Sequence, residues 1–67
     1  RNMRIILEKD SSLKDLEETV NRKLEELEDN AQTVKGITYA PHTIPKMRGK
    51  EIVGHDTFYS VMIAYEE

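Results

Sequence analysis

Apolar residues recur along this chain with two different periods. Met3, Ile5 and Leu7 alternate with Arg4 and Glu8, the two-residue repeat of a β-strand with one face in a core. Ile6 interrupts the polar side, so partial cover is expected on the second face as well. From Leu13 the period lengthens. Leu13, Leu16, Val20, Leu24 and Leu27 follow at spacings of three, four, four and three, which places one apolar stripe on a helix running to about Asp29. Ser11 or Ser12 is the expected N-cap, because a hydroxyl there accepts from an orphan backbone N–H. Asp15 gives the start a weak capping-box likeness, and Asn30 is the expected stop. Glu17, Glu18, Arg22, Glu25 and Glu28 occupy the opposite face, with Glu18 and Arg22 spaced to pair. The stripe covers only about two heptads, short of the three to four a coiled coil needs. It is therefore expected to pack on the chain's own sheet.

A second strand is predicted from Thr33 to Ala40, carried by Val34, Ile37 and Tyr39 with Thr33 and Thr38 as β-branched support. Gly36 marks an expected bulge, and Pro41, which cannot donate to a ladder, an expected thinning of the pairing. Residues 41–56 read as a long connection. The last strand, Thr57 to Tyr65, is apolar on both faces: Tyr59, Val61, Ile63 and Tyr65 point one way, Phe58, Met62 and Ala64 the other. The fold class is α+β, a small β-α-β-β domain in which a three-stranded sheet carries one amphipathic helix on one face. If the first two strands are parallel, the helix is their crossover, and the last two strands form a long-looped hairpin. One helix covers one sheet face, and a strand apolar on both sides asks for cover on the other. A second copy of the chain supplies it most simply, so a homo-oligomer is expected.

Composition sharpens that expectation. With 67 residues the chain makes a single domain, spanning 1–67, whose own core is marginal. Domains of this size usually need a disulfide, a metal or a partner. There are no cysteines and only two histidines, which removes disulfides and thiolate sites and disfavours structural zinc. Association remains. A net charge of −3 argues against non-specific nucleic-acid binding. No apolar run reaches the roughly 18–20 residues of a membrane span, and no signal-peptide pattern stands at the start. A cytoplasmic location with no membrane contact is expected. Met3 is taken as the natural start, with Arg1 and Asn2 ahead of it.

The candidate chemistry lies in residues 41–56. Between His42 and Lys50 stand Lys46, Arg48 and Lys50 with no acidic residue, whereas Leu13 to Asp29 holds three basic and seven acidic residues. Positive charge is local to this segment. Arg48 can grip a phosphate or carboxylate with two parallel bonds, and Lys46 and Lys50 add point charges. Gly49 and Gly54 permit close backbone approach. His42 and His55 can donate hydrogen bonds, and Tyr39 or Tyr59 can stack on a ring. The same residues also fit a solvated loop or a protein contact. Other chemistries find no pattern. His42 and His55 lack metal-ligand spacing, Ser11, Ser12 and Ser60 lack a nucleophile motif, and Gly49-Lys50 lacks the rest of a phosphate loop. No cofactor, no metal site and no enzymatic activity are expected.

The opening strand, the helix start Ser12-Leu13-Lys14-Asp15-Leu16-Glu17 and the closing Phe58-Tyr59-Ser60-Val61-Met62-Ile63-Ala64-Tyr65 resemble a family of very small proteins of bacilli and their phages, some associated with sporulation. The middle segment is longer here than in that family. The resemblance implies a bacterial or phage source, a cytoplasmic location and a non-enzymatic role, and it transfers no catalytic residue. The leading expectation is a small binding protein that sequesters an anionic, nucleotide-like ligand between subunits. Its partners would be copies of itself and an anionic small molecule. The alternatives are an adaptor or inhibitor that binds a host or developmental protein, and a binder of single-stranded nucleic acid.

Overall fold

In the computed structural model, which describes residues 2–67, the chain runs β1 (Met3–Asp10), α1 (Leu13–Asp29), β2 (Thr33–Arg48) and β3 (Glu51–Glu66). The strands form one sheet in the order β1-β3-β2, with β3 antiparallel to both neighbours. This is a small α+β fold. β1 and β2 are therefore parallel but not adjacent, and α1 carries the chain across β3 between them.

Local chemistry sets the helix ends. Ser12 is the N-cap, its hydroxyl accepting from the Asp15 N–H at 3.2 Å. The Ser12 N–H itself donates to the Asp10 carboxylate at 2.8 Å. At the other end Asn30 is the C-cap, and Ala31 adopts a left-handed φ of 55°. The Gln32 N–H then donates to the Leu27 carbonyl and the Ala31 N–H to the Glu28 carbonyl, at 2.9 and 3.0 Å. That pair of bonds is a Schellman motif, built here on alanine instead of the usual glycine.

The helix covers one face of the sheet. Leu16, Leu27, Val61 and Ile63 are buried, and Ile6, Val20, Leu24, Val34, Tyr59 and Tyr65 pack around them. Among the described residues Ile63 is the only side chain that is fully sealed, with 0% exposure. Leu13, expected to begin the buried stripe, is 52% exposed.

The first strand presents the opposite side from the one its pattern suggests. Cross-strand partners share a face, and β1 pairs Ile6 with Ile63 but Leu7 with Met62 and Ile5 with Ala64. Ile6 therefore joins the core, while Met3, Ile5 and Leu7 lie on the open face. The alternation has the period of a strand, but β3 is apolar on both faces and does not by itself dictate which side of β1 meets the helix.

The larger correction concerns residues 41–56. They are not a loop. β2 continues to Arg48, β3 begins at Glu51, and the two stay paired from Pro41 opposite Tyr59 to Arg48 opposite Glu51, interrupted by a bulge at Val53 where the register shifts between Lys46 and Met47. Only Gly49 and Lys50 turn the chain. Gly49 has φ of 61° and Lys50 does not share the positive φ, the arrangement of a type II′ hairpin turn with glycine first. Pro41 and Pro45 do not stop β2 because it is an edge strand. They stand four residues apart, so both ring nitrogens face the same, outer edge, where no ladder bond is lost. Near Gly36 the register shifts between Val34 and Gly36, which makes Lys35 the extra residue of a bulge.

β1 ends its pairing at Asp10 opposite Tyr59. Beyond that point the β2–β3 hairpin continues alone as a two-stranded arm, residues 41–58. The result is elongated, 50 × 23 × 13 Å, with a radius of gyration of 15.7 Å against about 11 Å for a compact chain of this length.

Candidate functional site

The arm distributes the seven candidate binding residues along its length and over both sides. Register and alternation place Tyr39 and Tyr59 at its root on the helix side, with rings stacked at 6.4 Å between centroids. His42 is also at the root but on the open side, opposite Phe58, with rings stacked at 4.5 Å. Lys46 lies further out on the open side, where its ammonium meets the Asp56 carboxylate at 3.1 Å. His55 stands opposite Pro45 on the other side. Arg48 closes β2 opposite Glu51, and Lys50 is in the turn.

From Tyr39 to Arg48 the strand covers about 30 Å at ~3.3 Å per residue. A single chain thus does not gather the seven into one pocket. The structure brings Tyr39 to Tyr59 and keeps Arg48 and Lys50 together at the tip, but separates the rings from the cations. The positive charge is also diluted. Lys46 is paired with Asp56, and Glu51, opposite Arg48, partly offsets Arg48 and Lys50. The Lys46–Asp56 pair is exposed on both sides, 56% and 63%, so it is worth at most about 1 kcal/mol and does not lock the lysine away from another anion.

Two depressions flank the arm root. One, of about 340 Å³, lies between the helix and the sheet, lined by Leu13, Glu17, Val20, Ile37, Tyr39 and others. The second, of about 380 Å³, lies on the open side among Lys9, Asp10, Ser11, Ile44 and Phe58. Here Phe58, stacked on His42, shares the depression with Lys9 and the turn residues Asp10 and Ser11.

Sequence pattern alone missed Phe58 and Ser60 as neighbours of His42. Their spacing from His42 is meaningful only once the hairpin register is known. The His42 Nε2 lies 2.8 Å from the Ser60 hydroxyl, which donates to the Ala40 carbonyl at 3.4 Å. Which of the two donates across that contact follows the imidazole tautomer. This is a serine–histidine contact at hydrogen-bond distance. Ser60 sits in the middle strand, paired with Lys9 on one side and Ala40 on the other. The backbone N–H groups around it are engaged in ladders and cannot converge on an oxyanion. The chain of bonds holds the His42 ring flat against Phe58.

Among the described residues no cluster of three or more His, Cys, Asp or Glu side chains has metal-binding placement, and no helix is long and apolar enough to cross a membrane. No family model, curated protein or solved structure matches the chain.

Proposed function

We propose that this chain is a non-enzymatic binding protein that works as a homo-oligomer and holds an anionic, nucleotide-like ligand between subunits, at the arm. The observation that carries this reading is the arm itself. It projects stacked rings at its root and Lys46, Arg48 and Lys50 toward its tip, and no one chain closes a pocket around them. A ligand that uses both rings and cations needs the arm of one copy set against another copy. Arg48 would hold a phosphate through paired N–H donors, with Lys46 and Lys50 beside it. Tyr39, Tyr59 and His42 offer ring faces for a base, and His55 a further donor. The resemblance of the helix start and closing strand to small phage and bacillus proteins fits a protein of cytoplasmic setting that removes a host signalling nucleotide.

The uncovered sheet face favours a second reading. Met3, Ile5 and Leu7 are 58%, 61% and 73% exposed, and such a row also suits an adaptor or inhibitor that docks on a host protein.

Native mass spectrometry of the purified protein, followed by denaturation and identification of released small molecules, separates the two. Sequestration predicts a phosphorylated compound freed from the wild type. The compound is absent from the double variant Lys46→Ala with Arg48→Ala, at unchanged assembly mass. A double variant that carries the compound undiminished refutes the arm as the site. A bare assembly that instead retains a protein partner, insensitive to those two charges, favours the adaptor.

A further inference from the structure

We propose that the open face of the sheet, continued along the arm, is the seat of a second copy of this chain, packed reciprocally so that each arm lies across the other's body. This rests on the homo-oligomeric part of the reading above and not on its ligand.

The first support is area. The chain exposes 5282 Å², about 900 Å² more than a compact chain of its mass, which shows roughly 4,400 Å². A standard interface removes about 800 Å² from each partner. The excess is close to what one such contact would bury, and the arm, which leaves the body, is its evident source.

The second is the distribution of apolar surface. On the open face Met3, Ile5 and Leu7 form an exposed row on β1, beside the half-buried Met62 and Ala64 on β3. On the arm the same side carries Phe58 and Ile44, the latter 52% exposed. β1 and the arm's part of β3, residues 51–58, are both eight residues long. A two-fold axis near the arm root would set the apolar side of each arm over the apolar row of the other body.

The third is charge. A two-fold contact brings each patch against itself, so it tolerates little net charge. The open face carries Lys9, the Lys35–Glu66 and Lys46–Asp56 pairs and Arg48 opposite Glu51, a net of one positive charge. The helix side, with seven acidic and three basic residues on α1, would repel its own copy. Edge-to-edge growth along β2 is also disfavoured, because Pro41 and Pro45 remove donors from that edge. Of the helix side, the β2 edge and the open face, the open face best tolerates a copy of the same chain.

Sedimentation equilibrium with circular dichroism tests this on the intact chain. The wild type is expected as a dimer or a multiple of one. Leu7→Glu on the body and Ile44→Glu on the arm should each shift it to a 7.8 kDa species with an unchanged spectrum, since both side chains are exposed in the single chain. Glu17→Lys on the helix side should leave the mass alone. Should either glutamate variant lose its spectrum, Leu7→Ser or Ile44→Ser replaces it. A monomeric wild type overturns the proposal, as does an assembly that survives Leu7→Glu or one that Glu17→Lys dissociates. Survival of Ile44→Glu alone overturns the reciprocal arm. An assembly that meets all these expectations yet binds no phosphorylated compound leaves this inference standing and removes only the ligand.

Discussion

Replacing Ile63 by alanine should cost this fold more than almost any other single change. Ile63 is fully enclosed, on the central strand, between Ile6 on β1 and Ile37 on β2. It belongs to a small buried core with Leu16, Leu27 and Val61. Deleting its side chain beyond Cβ loses transfer free energy and leaves a cavity with few neighbours able to close it, for about 2–5 kcal/mol. A chain of 67 residues holds only about 3–10 kcal/mol in total, so the loss is a large share. At a urea slope near 1 kcal/mol/M, the midpoint should fall by on the order of 2 M. The companion substitution is Leu7→Ala. Leu7 is 73% exposed on the other face, and in the dissociated chain its truncation should stay within about 0.5 kcal/mol. Urea titrations followed by far-ultraviolet circular dichroism, repeated over a range of protein concentrations, read both. At low concentration only Ile63→Ala should be costly. As concentration rises, a Leu7→Ala deficit should appear by mass action if its face is covered in the assembly. Comparable losses for the two variants at low concentration would refute the assignment of faces, because a one-residue slip of register exchanges them.

Two further substitutions test the helix ends. Ala31→Gly should stabilise by about 0.5–1 kcal/mol, because the left-handed conformation that costs alanine costs glycine little and only part of the gain is returned in the unfolded chain; a lower melting temperature would contradict the Schellman geometry. Ser12→Ala should destabilise by about 1 kcal/mol through loss of the bond to the Asp15 N–H, measurable as a drop in the thermal midpoint, and no change would show that Asp10 alone secures this turn.

The helix was legible almost to the residue because its signals are local: a 3.6-residue stripe, a serine ahead of it and an asparagine after it. The two-faced character of the final strand was legible for the same reason, and Val61 and Ile63 do face the helix while Met62 and Ala64 face away. The arm was not, although Thr43, Ile44, Ile52, Val53 and Thr57 supply strand-forming residues and Gly49-Lys50 a two-residue turn. Pro41, Pro45, Gly49 and Gly54 outweighed them as breakers. A proline ends a central strand but is tolerated at an edge, and only the sheet order shows that β2 is an edge. The same dependence hid the candidate site. Lys46, Arg48 and Lys50 are neighbours in sequence, and in a loop they could converge. On an extended strand they are strung out along the arm, Lys46 and Arg48 two residues apart on one side and Lys50 in the turn, and Lys46 pairs with Asp56.

That spreading bears on how such a site could work. A hairpin of two strands is marginal by itself in water, and here eight residues of each strand extend past β1 without a third strand beside them. The ring pairs add support from both sides, Tyr39 on Tyr59 and His42 on Phe58, yet both lie at the root. Toward the tip the side chains are Lys46, Met47, Arg48, Ile52 and Val53, with Met47, Ile52 and Val53 each more than half exposed. Contact with another copy would both order that distal segment and bring its cations against a surface they do not meet in the single chain. Ligand affinity and assembly should therefore be coupled: a ligand bridging two chains stabilises the assembled form and must tighten association by the same factor by which association tightens its own binding. A ligand bound equally well by isolated chains would place the site within one hairpin and separate the arm's charge from its role in association.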